Sequence, residues 1–271
     1  MPIRFDHKPG LVIYLTAGDA GLEAGAVSAR EGLEATREIA IAAIDAGADV
    51  IELGVPFSDP LADGPIIQRA SERALAHGTR LRDVLALARE IRAARPAAGL
   101  IIFSYHNPIL RYGLAKFADD AKAAGVDGVL ATDMIVEEAA DYLAEMNRVG
   151  LAPVFLAAPT SSDARLEAIA THSKGFVYAI SRTGITGTQQ SLASDAAALV
   201  ARIRRWTMLP VAVGFGISNA GHVAQVAEFA DAAVVGSAIV ELVERSPRGS
   251  AADSVARFIK GLRLPHAALA R

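Results

Sequence analysis

The chain alternates short, nearly continuous apolar runs with longer segments in which apolar residues recur at helical spacing. Eight runs are predicted to be β-strands: Leu11–Thr16, Asp49–Gly54, Gly99–Tyr105, Gly128–Thr132, Ala152–Ala157, Gly175–Ser181, Pro210–Gly214 and Asp231–Gly236. The helical segments between them are Glu34–Ala46, Ile66–His77, Leu81–Ala94, Leu114–Ala124, Glu137–Arg148, Ala164–His172, Ser194–Trp206, Asn219–Phe229 and Ser237–Glu244. This alternation is typical of a parallel sheet covered by helices.

Eight strand-helix units in 271 residues predict one closed α/β domain over residues 1–271, a (β/α)8 TIM barrel with parallel strands. The turns Ala46–Asp49 and Ala124–Asp127 each end a helix on Gly and enter the next strand, as αβ turns do. Those turns lie at the bottom of such a barrel, so the chemistry is expected at the opposite rim, where the strands end. The Ala- and Gly-rich segment Ala20–Gly32 is long for a βα connection.

Composition narrows the possible classes of protein. Hydrophobic residues make up 52% of the chain, yet charged residues interrupt every run that approaches the length of a membrane span. The N-terminal residues lack a long apolar segment, which predicts a cytoplasmic protein. There is no Cys, which excludes disulfides, thiolate metal sites and a Cys nucleophile. The net charge of -3 and the lack of a long basic block disfavour nucleic-acid binding.

A carboxylate interrupts the second predicted strand. Alternation places Val50, Glu52 and Gly54 on one face and Ile51 and Leu53 on the other. If the Ile and Leu side chains meet the helices, Glu52 points into the barrel, where burial raises its pKa towards values suited to proton transfer. A structural Glu with satisfied hydrogen bonds is an open alternative, and two further carboxylates on the following loop favour chemistry.

Glycines after the last two strands suggest a phosphate site. Gly214 and Gly216 follow the seventh strand, while Gly236 and Ser237 open a helix after the eighth. Backbone N–H groups at these two loops, with a helix N-terminus facing them, form the usual phosphate cradle of TIM barrels. An ordinary turn readily explains glycine in one of these loops, but it explains less well why both loops contain glycine.

The segment from Tyr178 to Gly187, after the sixth strand, is polar and contains two Gly and two Thr. It suggests a loop that closes over a ligand, with a plain surface loop as the alternative. None of the Lys residues stands at the end of a strand, which disfavours a Schiff-base aldolase, and one His near the rim, His106, gives no metal site. The remaining possibility is a phosphorylated substrate that is cleaved with the help of carboxylates and supplies its own electron sink.

The run "IELGVPFSDPLADGP", Ile51 to Pro65, resembles the signature of the tryptophan synthase alpha subunit. The later runs "SRTGITG", "GFGIS" and "GSAIV" match further motifs of that family in the right order. The resemblance implies retro-aldol cleavage of indole-3-glycerol phosphate to indole and glyceraldehyde 3-phosphate. It implies that Glu52 is the acid and base and that Asp63 binds the ring N–H.

The resemblance also assigns binding residues. Those expected to contact the indole ring or the pocket around it are Tyr14, Tyr105, Leu130 and Tyr178. Those expected to bind phosphate are Gly187, Phe215, Gly216, Gly236 and Ser237. Thr186 is expected to position Asp63 when the loop closes.

A partner is implied as well, the pyridoxal-phosphate beta subunit of an alpha2beta2 complex, and no cofactor is expected in this chain. The surfaces expected to meet it are the loop containing Pro56 and Asp59 and the loop around Met134. Ile135 stands where the family often has Pro, which bears on this contact. Alternatives are a stand-alone lyase, a non-catalytic subunit that binds a phosphorylated ligand, and a sugar-phosphate epimerase. The last two are disfavoured by the carboxylates and by the lack of metal ligands.

Overall fold

The computed structural model describes residues 3–21, 28–180, 189–214 and 216–263, with side chains from residue 194 onward in the helix that begins at Gln189. The described strands are β1 Gly10–Thr16, β2 Val50–Gly54, β3 Gly99–Ser104, β4 Gly128–Ala131, β5 Ala152–Pro153, β6 Leu156–Ala157, β7 Val177–Ile180, β8 Val211–Gly214 and β9 Ala232–Val235. All paired strands are parallel, as the apolar runs predicted.

Helices follow the strands throughout the described residues. They are α1 Ala29–Asp45, α2 Pro65–Ala76, α3 Leu81–Ala94, α4 His106–Tyr112, α5 Leu114–Ala123, α6 Ala140–Val149, α7 Asp163–His172, α8 Gln189–Ile203, α9 Ala220–Ala227, α10 Ser237–Arg245 and α11 Ala251–Leu262. Helices α4 and α11 were not predicted from the sequence. None of these described helices is long and apolar enough to cross a membrane.

The sheet closes into a barrel through one split strand. The order is β5-β4-β3-β2-β1-β9-β8-β7-β6, so its two ends are consecutive pieces of the same run. Val154 donates to the carbonyl of Val129 on one side, and Tyr178 donates to the carbonyl of Phe155 on the other. The predicted strand Ala152–Ala157 therefore serves as the fifth of eight barrel strands, which confirms the TIM-barrel fold.

Strand alternation divides the apolar side chains into two cores. One lies between the sheet and the surrounding helices and contains Ile51 and Leu53. The other fills the barrel interior and includes Val12, Val50, Ile101, Leu130, Val154 and Phe176. Ile3 and Phe5, which precede β1, pack into this interior core.

Helix α1 begins earlier than predicted. Ser28 caps its N-terminus: the Glu31 N–H donates to Ser28 Oγ, and the Ser28 N–H donates to Glu31 Oε2. This capping box satisfies two backbone donors that a helix start leaves unpaired. Residues 29–32, placed in a loop by their Ala and Gly content, are therefore helical, and the Ser-x-x-Glu spacing was the signal for it.

Candidate active site

Glu52 lies inside the barrel, as alternation predicted. On β2 it is opposite Tyr14 of β1 and Ile101 of β3, and it is fully buried. Neither carboxylate oxygen has a hydrogen-bond partner within the described part of the chain. Burial raises the pKa of this carboxyl from 4.5 to about 8, because a charge is poorly solvated there. Glu52 therefore holds a proton at neutral pH, and its carboxyl has no hydrogen-bond partner among the described residues.

Asp63 stands on the loop between β2 and α2 and is partly buried. Burial raises its pKa to about 6, although a hydrogen bond from the Tyr105 hydroxyl, 3.1 Å from Asp63 Oδ2, favours the ionised form. The Ala62 N–H donates in turn to that hydroxyl at 2.9 Å. Tyr105 thus connects the end of β3 to the loop and fixes the direction of the carboxylate, which is ionised at neutral pH.

Two more tyrosines, Tyr14 and Tyr178, complete the polar end of the barrel. Burial raises the pKa of each hydroxyl well above its ordinary value, and Glu52 and Asp63 raise it further when they are ionised. Tyr14 lies directly opposite Glu52 on the neighbouring strand, so these two groups share one end of the barrel. The Tyr14 ring packs edge-on against Phe103 with 5.0 Å between ring centroids. The cluster can present one acidic proton, one carboxylate and flat apolar walls to a ligand.

Glycines at the strand ends make room for these tyrosines. A Cβ on Gly54 would lie 2.2 Å from the Tyr14 hydroxyl oxygen, and one on Gly214 would lie 2.9 Å from that of Tyr178. Contacts this short force the ring aside. The glycines of β2 and β8 are therefore part of the pocket's shape.

We expect Gly54→Ala to push Tyr14 out of place, raise KM severalfold and destabilise the protein by about 1–3 kcal/mol, as overpacking does. Urea unfolding and steady-state kinetics measure the two effects. The matched control is Gly261→Ala in helix α11, where a Cβ would meet nothing within 4 Å. That change should leave KM unaltered and leave stability equal or higher. Equal KM values for the two variants would contradict the role of Gly54.

Those predicted phosphate-binding residues that the structure describes lie at the same rim of the barrel. Gly236 directly precedes α10, whose first residue is the exposed Ser237. A Cβ on Gly236 would lie 3.7 Å from Tyr14 Cβ, which places this helix start beside the pocket. Gly216 is exposed and has φ +82°, a left-handed conformation that favours glycine. Thr186, Gly187 and Phe215 lie outside the described residues.

The structure places the other predicted residues as follows. Leu130 is fully buried in the interior core. Pro56 is buried, Asp59 is exposed, and Met134 is partly buried against the outer core. Within the described ranges, no group of three or more His, Cys, Asp or Glu side chains is arranged to hold a metal ion.

Sequence reasoning missed one residue that holds the Asp63 loop. Gln68 Nε2, on the first turns of α2, donates to the Asp63 carbonyl oxygen at 2.8 Å. A Gln near a helix start gives no signal of this contact, because it depends on how the preceding loop folds back.

The chain is similar to known proteins over nearly its whole length. The sequence model of the family described as tryptophan synthase alpha chain matches residues 3–264. The tryptophan synthase alpha chain of Solibacter usitatus is 48% identical over 93% of this chain and 90% of its own length. That of Geobacter sulfurreducens is 45% identical over 96% and 94%.

Solved structures show the same similarity. A structure of Mycobacterium tuberculosis tryptophan synthase has a TM-score of 0.83 at 36% identity, covering 95% of this chain and 94% of that chain. The tryptophan synthase subunit alpha of Legionella pneumophila also has a TM-score of 0.83, at 34% identity over 94% and 91%. The agreement extends over nearly the whole barrel.

Proposed function

The chain belongs to the tryptophan synthase alpha chain family, whose members cleave indole-3-glycerol phosphate to indole and glyceraldehyde 3-phosphate, and we propose that Glu52 and Asp63 perform this cleavage here. The observation that carries the proposal is the difference between these two carboxyls. At neutral pH the pKa of about 8 keeps Glu52 protonated, while the pKa of about 6 leaves Asp63 ionised. Neighbouring carboxyls with separated pKa values are the usual arrangement for distinct acid and base roles.

Glu52 is the proton donor in this assignment. Its buried carboxyl gives a proton to C3 of the indole ring, which makes the ring nitrogen positive and able to accept an electron pair. Asp63, ionised and held by Tyr105, accepts the ring N–H and stabilises that charge. A carboxylate that is already oriented stabilises the charge without having to move.

The carbon-carbon bond then breaks. Its electron pair moves into the ring and neutralises the nitrogen, which releases indole. The hydroxyl on the departing glycerol carbon loses its proton to the Glu52 carboxylate and becomes the aldehyde of glyceraldehyde 3-phosphate. Glu52 ends protonated, as it began, so one residue acts as acid and then as base.

The glycine loops support the phosphate end of the proposal. The N-terminus of α10, with the N–H groups of Gly236 and Ser237 and the Ser237 hydroxyl, binds the phosphate together with Gly216. Thr186, Gly187 and Phe215 are proposed for the same region from their sequence motifs. The tyrosine rings of the pocket and Leu130 pack against the indole.

We propose that this chain needs no cofactor of its own, because the protonated indole ring accepts the electrons of the breaking bond. Pyridoxal phosphate belongs to the proposed partner, a beta subunit that consumes the indole in an alpha2beta2 complex. The exposed Asp59 and the neighbouring loops form the proposed contact face. Large apolar side chains are also exposed on this face: Leu61, Leu110 and Ile135 are 86%, 52% and 43% exposed.

The proposal is tested by measuring indole release from indole-3-glycerol phosphate with and without a beta subunit. We expect release by the chain alone and a large stimulation by the partner. Leu110→Asp should raise the beta-subunit concentration that gives half-maximal stimulation by about tenfold or more, because the substitution buries a charge in an apolar contact.

The matched control for that experiment is Met208→Asp. Met208 is 94% exposed and lies between α8 and β8, at the opposite end of the barrel. It should respond to the partner as the unmodified chain does. Indole release without any stimulation would instead favour a stand-alone lyase, and no indole release under either condition would refute the proposed function.

A further inference from the structure

A chain of ion pairs, buried except at Arg69, joins two helices and a loop around the candidate site. Arg69 and Arg73 of α2 both bind Glu244 of α10: Arg69 Nη2 lies 2.8 Å from Glu244 Oε2, and Arg73 Nη1 lies 2.8 Å from Glu244 Oε1. Arg73 also binds Asp19, after β1, with both oxygens of the carboxylate, at 2.8 and 2.9 Å. Asp19 and Glu244 are 3% and 5% exposed.

Arg73 is the central member of this chain. Its guanidinium bridges two buried carboxylates that lie 225 positions apart in the sequence, Asp19 and Glu244. The two arginines hold the pKa of Glu244 at about 2, so it is ionised at all working pH values. Buried ion pairs add little net stability compared with apolar packing of the same volume. Their fixed geometry is the property that an apolar contact would not supply.

One end of this arrangement is connected to Asp63 through helix α2. Helix α2 begins at Pro65, two residues after Asp63, and its Gln68 donates to the Asp63 carbonyl at 2.8 Å. A rigid shift of α2 therefore moves the carboxylate. Ile66 and Ile67 of the same helix pack with Tyr14 against the top of the barrel, so the shift would also open the pocket to water.

The other end reaches the phosphate side. Glu244 is the second-last residue of α10, and this helix of nine residues starts at Ser237 beside the pocket. Such a helix is roughly 13 Å long and moves as one body. Val240 on its middle turn packs with Ala70 of α2 and with Tyr14. The position of the phosphate-binding helix start is therefore tied to that of α2.

We propose that Arg73 is a positioning residue that couples the phosphate-binding end of α10 to the placement of Asp63 over the indole pocket. This inference rests on the proposed function. When phosphate fixes the start of α10, the Glu244–Arg73–Asp19 chain fixes α2, and α2 fixes Asp63 in the orientation that Tyr105 completes. Arg73 itself touches neither the pocket nor the reacting atoms.

The test compares Arg73→Met, Arg73→Lys and Arg95→Met in steady-state indole release over a range of pH. Arg95 is the control for loss of an ion pair away from the site, because it forms a more exposed two-point pair with Asp45, at 2.6 and 2.5 Å, at the end of α3. We expect kcat of Arg73→Met to fall by about tenfold or more, as small displacements of catalytic groups do, with a smaller change in KM.

The pH profile separates positioning from stability. Asp63 is faced by Tyr105, Glu52, Tyr14 and Tyr178, none of which the substitutions alter. If α2 shifts and water reaches Asp63, its pKa falls from about 6 towards its ordinary value, so the acid limb of kcat moves to lower pH. Partial unfolding would lower kcat by the same factor at every pH and would leave the acid limb at its original pH. Arg73→Lys should keep more of kcat than Arg73→Met, because it retains the positive charge. It should not keep all of it, since an ammonium cannot bridge both carboxylates as a planar guanidinium does.

The outcomes are distinct. Circular dichroism at the assay temperature gives the folded fraction of each variant. The inference would be overturned if Arg73→Met had the same kcat and the same acid limb as Arg95→Met. It would also be overturned if the loss of kcat in Arg73→Met equalled the unfolded fraction of that variant. If Arg73→Met does not fold, Arg73→Lys decides by the same limb. A wild-type chain without indole release would refute the proposed function and this inference with it, whereas an active wild type with a normal Arg73 variant refutes the inference alone.

Discussion

Glu52→Gln is expected to lower kcat for indole release by about 10²- to 10⁴-fold, the range for loss of a general acid-base group. The amide has the size of the carboxyl and remains uncharged, as the protonated acid is at neutral pH, so the barrel interior keeps its shape. What is lost is the transferable proton. Because the phosphate residues and the aromatic walls are untouched, KM should change by less than kcat does.

The matched control for this experiment is Glu90→Gln, whose side chain is 61% exposed on α3. Its kcat should equal that of the unmodified chain. Thermal unfolding of both variants checks that the fold is retained. A Glu52→Gln variant that turns over substrate within a few-fold of the wild type would rule out Glu52 as the proton donor.

The same residue should make the stability of the protein depend strongly on pH. The folded-state pKa of Glu52 is about 8, compared with an ordinary value of 4.5. As pH rises between these values, the unfolded chain releases the proton while the folded chain keeps it. Folding stability is therefore highest below pH 4.5 on this account and falls until the pH passes about 8. The total loss is about 5 kcal/mol at roughly 1.4 kcal/mol per pKa unit.

Urea unfolding from about pH 5 to about pH 9 measures this dependence. In Glu52→Gln the contribution is absent. The free energy of unfolding of the wild type should therefore fall steadily relative to that of this variant as pH rises across the range. Asp63, with a pKa raised from 3.8 to about 6, adds a smaller loss at the acid end in both proteins. Parallel stability curves for the two proteins would contradict a buried, unpaired Glu52.

Sequence patterns predicted the barrel and the inward position of Glu52. Nearly continuous apolar strands predicted the parallel sheet, and the period of two placed Glu52 inside with Ile51 and Leu53 outside. These properties are local: a strand's side chains alternate whatever its neighbours are. The motif from Ile51 to Pro65 added the family and, with it, the roles proposed for Glu52 and Asp63.

Local signals were weaker where structure depends on few residues. Helix α4 has seven residues, too few for a clear period, and α11 follows the last barrel strand, where the eightfold count needed no further helix. The Ala and Gly content of residues 20–32 predicted too late a start for helix α1, which begins directly after the capping residue Ser28. The fifth strand was predicted as one piece, while its two ends pair with different neighbours.

The sequence by itself determined the succession of strands and helices, the inward face of each strand and the presence of an acid among apolar residues. The tertiary structure decided the state of that acid, since its pKa depends on how completely residues from β1, β2 and β3 exclude water and partners from it. It also decided that Tyr105 holds Asp63 and that Arg73 joins Asp19 to Glu244. Such contacts arise from chain closure over many tens to hundreds of residues, and neither periodicity nor local spacing records which distant side chains that closure brings together.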